Sequence, residues 1–457
     1  MTTTSRPAPS AWPPAPEPVP VRRSRGRTID PTTALTIGGL GALTVATWPV
    51  VVAALGAEGP WTALLAHVSG MLAGYGVLVL LVLMARTPAL EHGVGADVLA
   101  RWHARIGRSV LILVLVHAAA AIGAWVDATG AGAMSAAWQV LGMPWLPAAT
   151  VGTVLMVTAG VLSARAARRR LRHEIWHGLH LLMYLAVGLS FAHMLAGPDL
   201  AGRPVLQVAW SLAYTHVFAL VLRFRVIAPL RQAVRHRLRV AAVRQEAPGV
   251  VSIIVAGEHL HELAAESGQF FRWRFLTPDH WSTAHPFSLS AAPTDTALRL
   301  TVKSLGDGSR DLQALPVGTW VIAEGPYGAV TPARRTRRDV LLVAGGVGIT
   351  PMRALFESIP VDTRSDLLLV YRARTEDELV FRSELDAIAR GRGARVSYVL
   401  GPDRAALSRS ALLHNVPDLV ERDVYMCGPP GLMTAVRQSL HEAGLPSHQL
   451  HEERFDL

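Results

Sequence analysis

The chain has 457 residues, enough for two or three domains, and 51% of them are hydrophobic, a high share for a soluble protein. Its formal charge is +10, carried almost wholly by arginine, with Lys303 the single lysine. One cysteine, Cys427, excludes an intrachain disulfide and any zinc or iron–sulfur site built on several cysteines, so redox chemistry here needs cofactors held in other ways. The arginines gather beside the apolar spans, which points to membrane orientation rather than to nucleic acid.

Residues 1–30 are rich in proline, threonine and arginine and read as a disordered tail. The apolar stretch that follows is too long for the core of a cleaved signal peptide. Six spans follow within 31–228, at about 34–56, 62–85, 104–126, 145–164, 175–196 and 205–226, each near the ~20 residues that cross a bilayer as a helix. With the N-terminus inside, the inner segments hold nearly all the arginines, among them Arg22, Arg101, Arg108, Arg168 and Arg223, and the outer loops hold only Arg203. This asymmetry places both termini in the cytoplasm of a multi-pass cell-membrane protein.

Ionisable residues inside spans mark functional sites by default. His67, His103, His117, His177, His180, His193 and His216 all fall there. For His67 and His216 the ordinary reading is an interfacial or hydrogen-bonded histidine. The spaced pairs are different. His103 and His117 are fourteen residues apart, nearly four turns, so they share a face ~21 Å apart along the axis. His180 and His193 are thirteen apart, ~20 Å of rise but a rotation of roughly 220°. Both spans run outward, so His103 and His180 share an inner layer and His117 and His193 an outer one. Two such layers are what two bis-histidine haems stacked across a membrane require. His177 rivals His180 for the inner layer; its height matches His103 less well.

A tryptophan followed by "HGLHLLMYLAVGLSFAH", two spans after a fourteen-spaced pair, resembles the ferric-reductase-type membrane domain shared by NADPH oxidases and ferric reductases. The resemblance implies that His103, His117, His180 and His193 ligate two b-type haems.

Beyond residue 236 the pattern turns to short β-branched and aromatic runs bounded by Gly, Pro or Asp, an antiparallel β-barrel over 236–333. Strands alternating with helical stretches then make a parallel α/β domain over 338–457. "HPFSLS" is, on its own, a strand end with a proline. It resembles the flavin motif of the oxidase and ferric-reductase branch of ferredoxin-reductase-type flavoproteins. That implies FAD packed on Phe287, with His285, Pro286 and Ser288 around it. "KSLGDGSRDL" then places Gly308 and Ser309 where that family sets the FAD pyrophosphate against a helix N-terminus, with Lys303 adding charge. "LLVAGGVGITPM" ends a buried strand in Gly345, Gly346 and Gly348 and opens a helix with Thr350 and Pro351. It differs from the GxGxxG fingerprint and is similar to the family's nicotinamide-nucleotide motif. "YMCGPPGLM" matches that motif's second half, which implies Cys427, Gly428 and Pro429 beside the nicotinamide. Cys427 alone would read as a small buried hydrophobe. Phe455, near the C-terminus, is the implied aromatic cover of the flavin, although two residues follow it where the family ends. Arg372 and Arg374 follow the next strand, and no acidic residue occupies the strand end to claim a ribose hydroxyl. That favours NADPH over NADH, against the alternative of ordinary surface arginines.

The motifs stand in family order over nearly the whole chain after the tail. Together they imply electrons moving from cytoplasmic NAD(P)H through FAD and two haems to a small external acceptor. Oxygen, giving superoxide, ranks above a ferric chelate; quinone or a partner protein stays open. A haem-binding sensor or assembly subunit, or an anchored flavin reductase without haem, is the alternative class.

Overall fold

The computed structural model describes residues 29–55, 59–164, 173–281, 283–304, 311–401 and 405–453. Most of the tail expected over 1–30 therefore lies outside the described residues, as do Gly308, Ser309 and Phe455. Two compact units divide the chain, Arg27–Ala228 and Pro229–Leu457.

The first unit is helical: α1 (Pro31–Leu55), α2 (Trp61–Met84), α3 (Pro88–Val94), α4 (Ala96–Thr129), α5 (Ala133–Leu141), α6 (Leu146–Leu162), α7 (His173–Ala196) and α8 (Pro204–Leu222). Among the described residues five helices are long and apolar enough to cross a membrane, and six if the bent pair α5–α6 counts as one span. This is a multi-pass membrane architecture. Leu35, Leu40, Leu43, Leu185 and Leu212 point outward, as apolar side chains facing lipid do. Inside, Leu78, Met156, Ala186, Val187, Tyr214 and Val217 form the core, and the Tyr214 hydroxyl donates to the Gly74 carbonyl at 2.9 Å.

Two spans differ from expectation. The third is α4, which starts at Ala96 rather than near 104 and carries Arg101, Arg105 and Arg108 in its first turns. The fourth is the 17-residue α6, preceded by α5 at an angle of 105°. The outer loop read from the sequence thus contains a helix. The break falls between Gly142 and Trp145, where Pro144 removes an amide donor and Trp145 takes φ +69°.

In the second unit, α9 (Ala228–His236) leads into β1 (Arg239–Ala247), β2 (Val250–Ala256), β3 (Phe270–Phe275), β4 (His285–Ser288), β5 (Ala297–Lys303) and β6 (Val321–Tyr327). They form two three-stranded antiparallel sheets, β1-β2-β5 and β4-β3-β6. Isolated bridges, Arg239 to Trp320 and Leu289 to Leu300, link the two sheets in place of continuous ladders. Strand alternation builds its core. Phe271, Trp273 and Phe275 of β3 are fully buried, while Arg272 and Arg274 point the other way.

β7 (Val340–Gly345), β8 (Leu367–Ala373), β9 (Arg395–Leu400), β10 (Asp423–Cys427) and β11 (Leu450–Glu453) form a parallel sheet in the order β11-β10-β7-β8-β9. α10 (Ile349–Ser358), α11 (Arg382–Arg392), α12 (Arg409–Asn415) and α13 (Pro430–Glu442) cover it. Every residue of β7 and β10 is buried, as central parallel strands require.

Candidate functional site

In the membrane unit, α4 packs on α2 and α7 on α6. Across the space between α4 and α7 the imidazoles meet in two pairs. His103 and His180 lie with ring centroids 6.1 Å apart, and so do His117 and His193. Imidazole–metal bonds of roughly 2 Å on each side, plus about 1 Å from each nitrogen to its ring centre, ask for about 6 Å. Each pair is therefore spaced to hold one metal ion between its imidazoles. On three of the four rings the other nitrogen has a partner, as ligation needs. His117 Nδ1 donates to the Ala66 carbonyl at 2.8 Å, and His103 Nδ1 to the Leu80 carbonyl at 3.3 Å. A carbonyl only accepts, so Nδ1 carries the proton and Nε2 keeps its lone pair for a metal. On the other helix, His180 Nδ1 lies 3.5 Å from Ser163 Oγ, which also accepts from Trp176 Nε1 at 3.2 Å, and the Trp176 ring stacks on His180.

The ring facing His103 is that of His180; His177 lies against Trp176 instead. His67 bonds Asp199 at 2.8 Å, and His216 is exposed. Sequence reasoning missed Ser163 and Gly70. A Cβ on Gly70 would stand 2.7 Å from His117 Nδ1, so only glycine leaves that ring its place. Such contacts join positions 17 to 51 apart, and no local pattern announces them.

In the soluble unit, β4 pairs antiparallel with β3, Phe287 opposite Phe271 and His285 opposite Trp273. The His285 and Phe287 rings are parallel within 6° at 5.9 Å, and Pro286 between them is exposed. Ser288 is buried, and its Oγ has no hydrogen-bond partner among the described residues. A buried hydroxyl left so costs about 1–3 kcal/mol, and a polar atom of a bound flavin would satisfy it. Thr301 and Lys303 line one wall of a cleft, and Gly346, Val347 and Thr350 line the other.

The glycines act by close approach. A Cβ on Gly348 would lie 2.2 Å from the Cys427 carbonyl oxygen, and one on Gly345 2.2 Å from Leu432 Cδ2. The turn after β7 thus nests against the end of β10, bringing both halves of the nicotinamide motif together. Gly346 takes φ +54°, open to glycine. Thr350 Oγ1 donates to the Val347 carbonyl at 3.0 Å, and Pro351 is buried in the first turn of α10. Cys427 is buried at the end of β10, and burial, then the nearby Glu453, pushes its thiol well up, so it stays neutral. Gly428 is half-buried, and the exposed Pro429 precedes α13. Arg372, half-buried, sits in register opposite Gly345 and donates to the Gly401 carbonyl at 3.3 Å; Arg374 is exposed. β8 itself ends without an acidic residue, as expected; five residues on, Glu378 lines the cleft and accepts from the Arg374 amide at 3.2 Å, because the chain turns back just after β8.

Residues 69–191 match the family described as ferric reductase like transmembrane component, and residues 342–438 match the oxidoreductase NAD-binding domain. Among curated proteins, the ferredoxin reductase component of 3-ketosteroid-9-alpha-monooxygenase from Rhodococcus rhodochrous is 30% identical over 227 residues, covering 48% of this chain and 64% of the relative. Ferredoxin–NADP reductase B from Sorangium cellulosum is 28% identical over 49% of this chain and 99% of the relative. This chain thus spans 64% of the length of the first of these relatives. Among solved structures, a flavohemoglobin from Malassezia yamatoensis aligns at TM-score 0.45 and 19% identity, covering 91% of this chain and 98% of that one. The helical unit with its histidine pairs and the unit that follows it thus carry, in series, a segment matching a ferric-reductase-like transmembrane component and one matching an oxidoreductase NAD-binding domain.

Proposed function

We propose that the protein carries electrons from cytoplasmic NADPH across the membrane to an external acceptor, with FAD and two b-type haems as its carriers and oxygen as the first-ranked acceptor. The observation that carries the reading is the facing of His103 with His180 and of His117 with His193, 6.1 Å apart in both pairs. FAD, when bound, takes a two-electron hydride equivalent and releases electrons singly, as haem iron requires.

The chain's own residues bind, orient and shield. His103 and His180 would hold the inner haem, and His117 and His193 the outer one. Phe287 would pack on the flavin, and Ser288 would bond it. Lys303, Gly308 and Ser309 would meet its phosphates, and Phe455 would cover its open face. Gly345, Gly346 and Gly348 let a dinucleotide approach the backbone at the start of α10, where Thr350 and Pro351 sit and amide donors favour phosphate. Cys427, Gly428 and Pro429 would bound the nicotinamide, the neutral thiol being small enough to leave it room. Arg372 and Arg374 would grip a 2′-phosphate. The domain limits 31–228, 236–333 and 338–457 and the cytoplasmic placement of both termini belong to the same proposal.

Oxygen is placed before ferric chelates because the outer segments are short and hold Arg203 as their single arginine, a poor lure for anionic chelates. Full-length protein supplied with FAD and NADPH in air should reduce cytochrome c, and superoxide dismutase should suppress most of the signal. Reduction insensitive to the dismutase, together with fast anaerobic reduction of ferric chelates, would give first place to the metalloreductase reading.

A further inference from the structure

The flavin motif and the nicotinamide helix are tied by a buried ionic network that neither motif includes. Arg299 on β5 is fully buried. It donates to both carboxylate oxygens of Glu384 on α11 at 3.1 and 3.0 Å and to the Ser290 carbonyl at 2.8 Å. Arg353 on α10, also buried, donates to Glu384 at 2.7 Å, to Glu357 at 2.7 Å and to the same Ser290 carbonyl at 3.0 Å. Glu357 in turn accepts from the Ala292 amide at 2.7 Å. Both guanidinium groups lie over the Phe381 ring, at 4.8 and 5.9 Å. Ser290 closes the flavin motif, and Arg353 stands two residues after Pro351 of the nicotinamide motif.

Two like charges are held side by side away from water, an arrangement that costs energy unless geometry and bonds are complete. Burial and the Arg353 charge push the Arg299 guanidinium down, while the two guanidinium groups overcome the upward pull of burial on Glu384 and hold its carboxyl below the usual range. Apolar packing would join barrel and sheet at less cost. What the network adds is direction. One carbonyl and one carboxylate are each gripped from two sides, and this fixes β4's end against α10 in rotation as well as distance.

We propose that Arg299, Arg353 and Glu384 are positioning residues for hydride transfer, setting the approach of a bound nicotinamide to the flavin without touching either. The proposal rests on the reading that NADPH reduces FAD in this unit. A shift on the order of 1 Å in such an approach costs about a hundredfold in rate, whereas ground-state binding can survive it.

The test uses full-length, FAD-loaded protein without oxygen. Glu384→Gln removes the shared charge and keeps the side chain's size; the double variant Arg299→Met, Glu384→Leu replaces the pair with apolar groups of similar volume. Flavin content, thermal unfolding, the maximal rate of flavin reduction and the half-saturating NADPH concentration are measured. The expected result is wild-type flavin content, half-saturation within about threefold and a maximal rate lowered about tenfold or more in at least one folded variant. A folded variant of each kind with the wild-type maximal rate overturns the proposal. Loss of FAD and of folding in both variants also overturns it, making the network a stability element. If NADPH and NADH fail to reduce the flavin of the wild-type protein, the functional reading itself falls, a result distinct from either.

Discussion

Arg372 lies at the end of β8, opposite Gly345 and within reach of the glycine turn, and Arg374 follows it into solvent. If they grip a 2′-phosphate, replacing both with alanine should raise KM for NADPH roughly ten- to a hundredfold, the worth of a charge-assisted hydrogen bond, and leave NADH little changed. Steady-state kinetics with the two nucleotides decides it: equal effects would show that the arginines do not read the phosphate. Glu378, which lines the cleft beside Gly346 and Thr350, sharpens the comparison, since a carboxylate on the ribose is the usual mark of NADH. That placement was not legible in the sequence, because a chain reversal after β8, not strand position, brings Glu378 in. The histidine layers were legible, since axial rise depends only on residue count. The rotational misfit of His180 and His193 involves no helix break: α7 is continuous from His173 to Ala196, and both rings still face partners on α4.

Among the elements, the turn between β7 and α10 is the most exacting. The neighbour of Gly348 is the backbone of Cys427, which has no rotamer to move aside. Gly348→Ala should therefore push the turn off β10 at a cost of about 1–3 kcal/mol, the usual range for overpacking. NADPH-dependent flavin reduction should fall sharply, while the haem absorbance proposed for the other unit should persist. Thermal unfolding with stopped-flow reduction measures both, and wild-type NADPH kinetics in a folded Gly348→Ala protein would contradict this account of the turn. The glycine cluster was visible in the sequence as a pattern; which backbone it admits was not, because Cys427 lies 79 positions away. The fourth span was only half legible for a similar reason. Hydropathy marks α6, but the 105° bend before it depends on the local geometry at Trp145, which composition does not reveal.

At the scale of the whole molecule, a helical unit with two imidazole pairs is followed by a unit with a flavin-type barrel and a parallel nucleotide sheet. The division was plain from hydropathy, and the parallel sheet from alternating strands and helices. The Arg299–Glu384–Arg353 network was not, since it joins positions 85 and 31 apart. The account stands or falls on the histidine pairs. The most direct measurement is haem content per chain, with the reduced-minus-oxidised spectrum, of purified wild-type, His117→Ala and His193→Ala proteins. The account predicts two low-spin b-type haems in the wild type and one in either variant, with flavin reduction by NADPH retained in all three. Two haems in both variants, or none in the wild type, would contradict it.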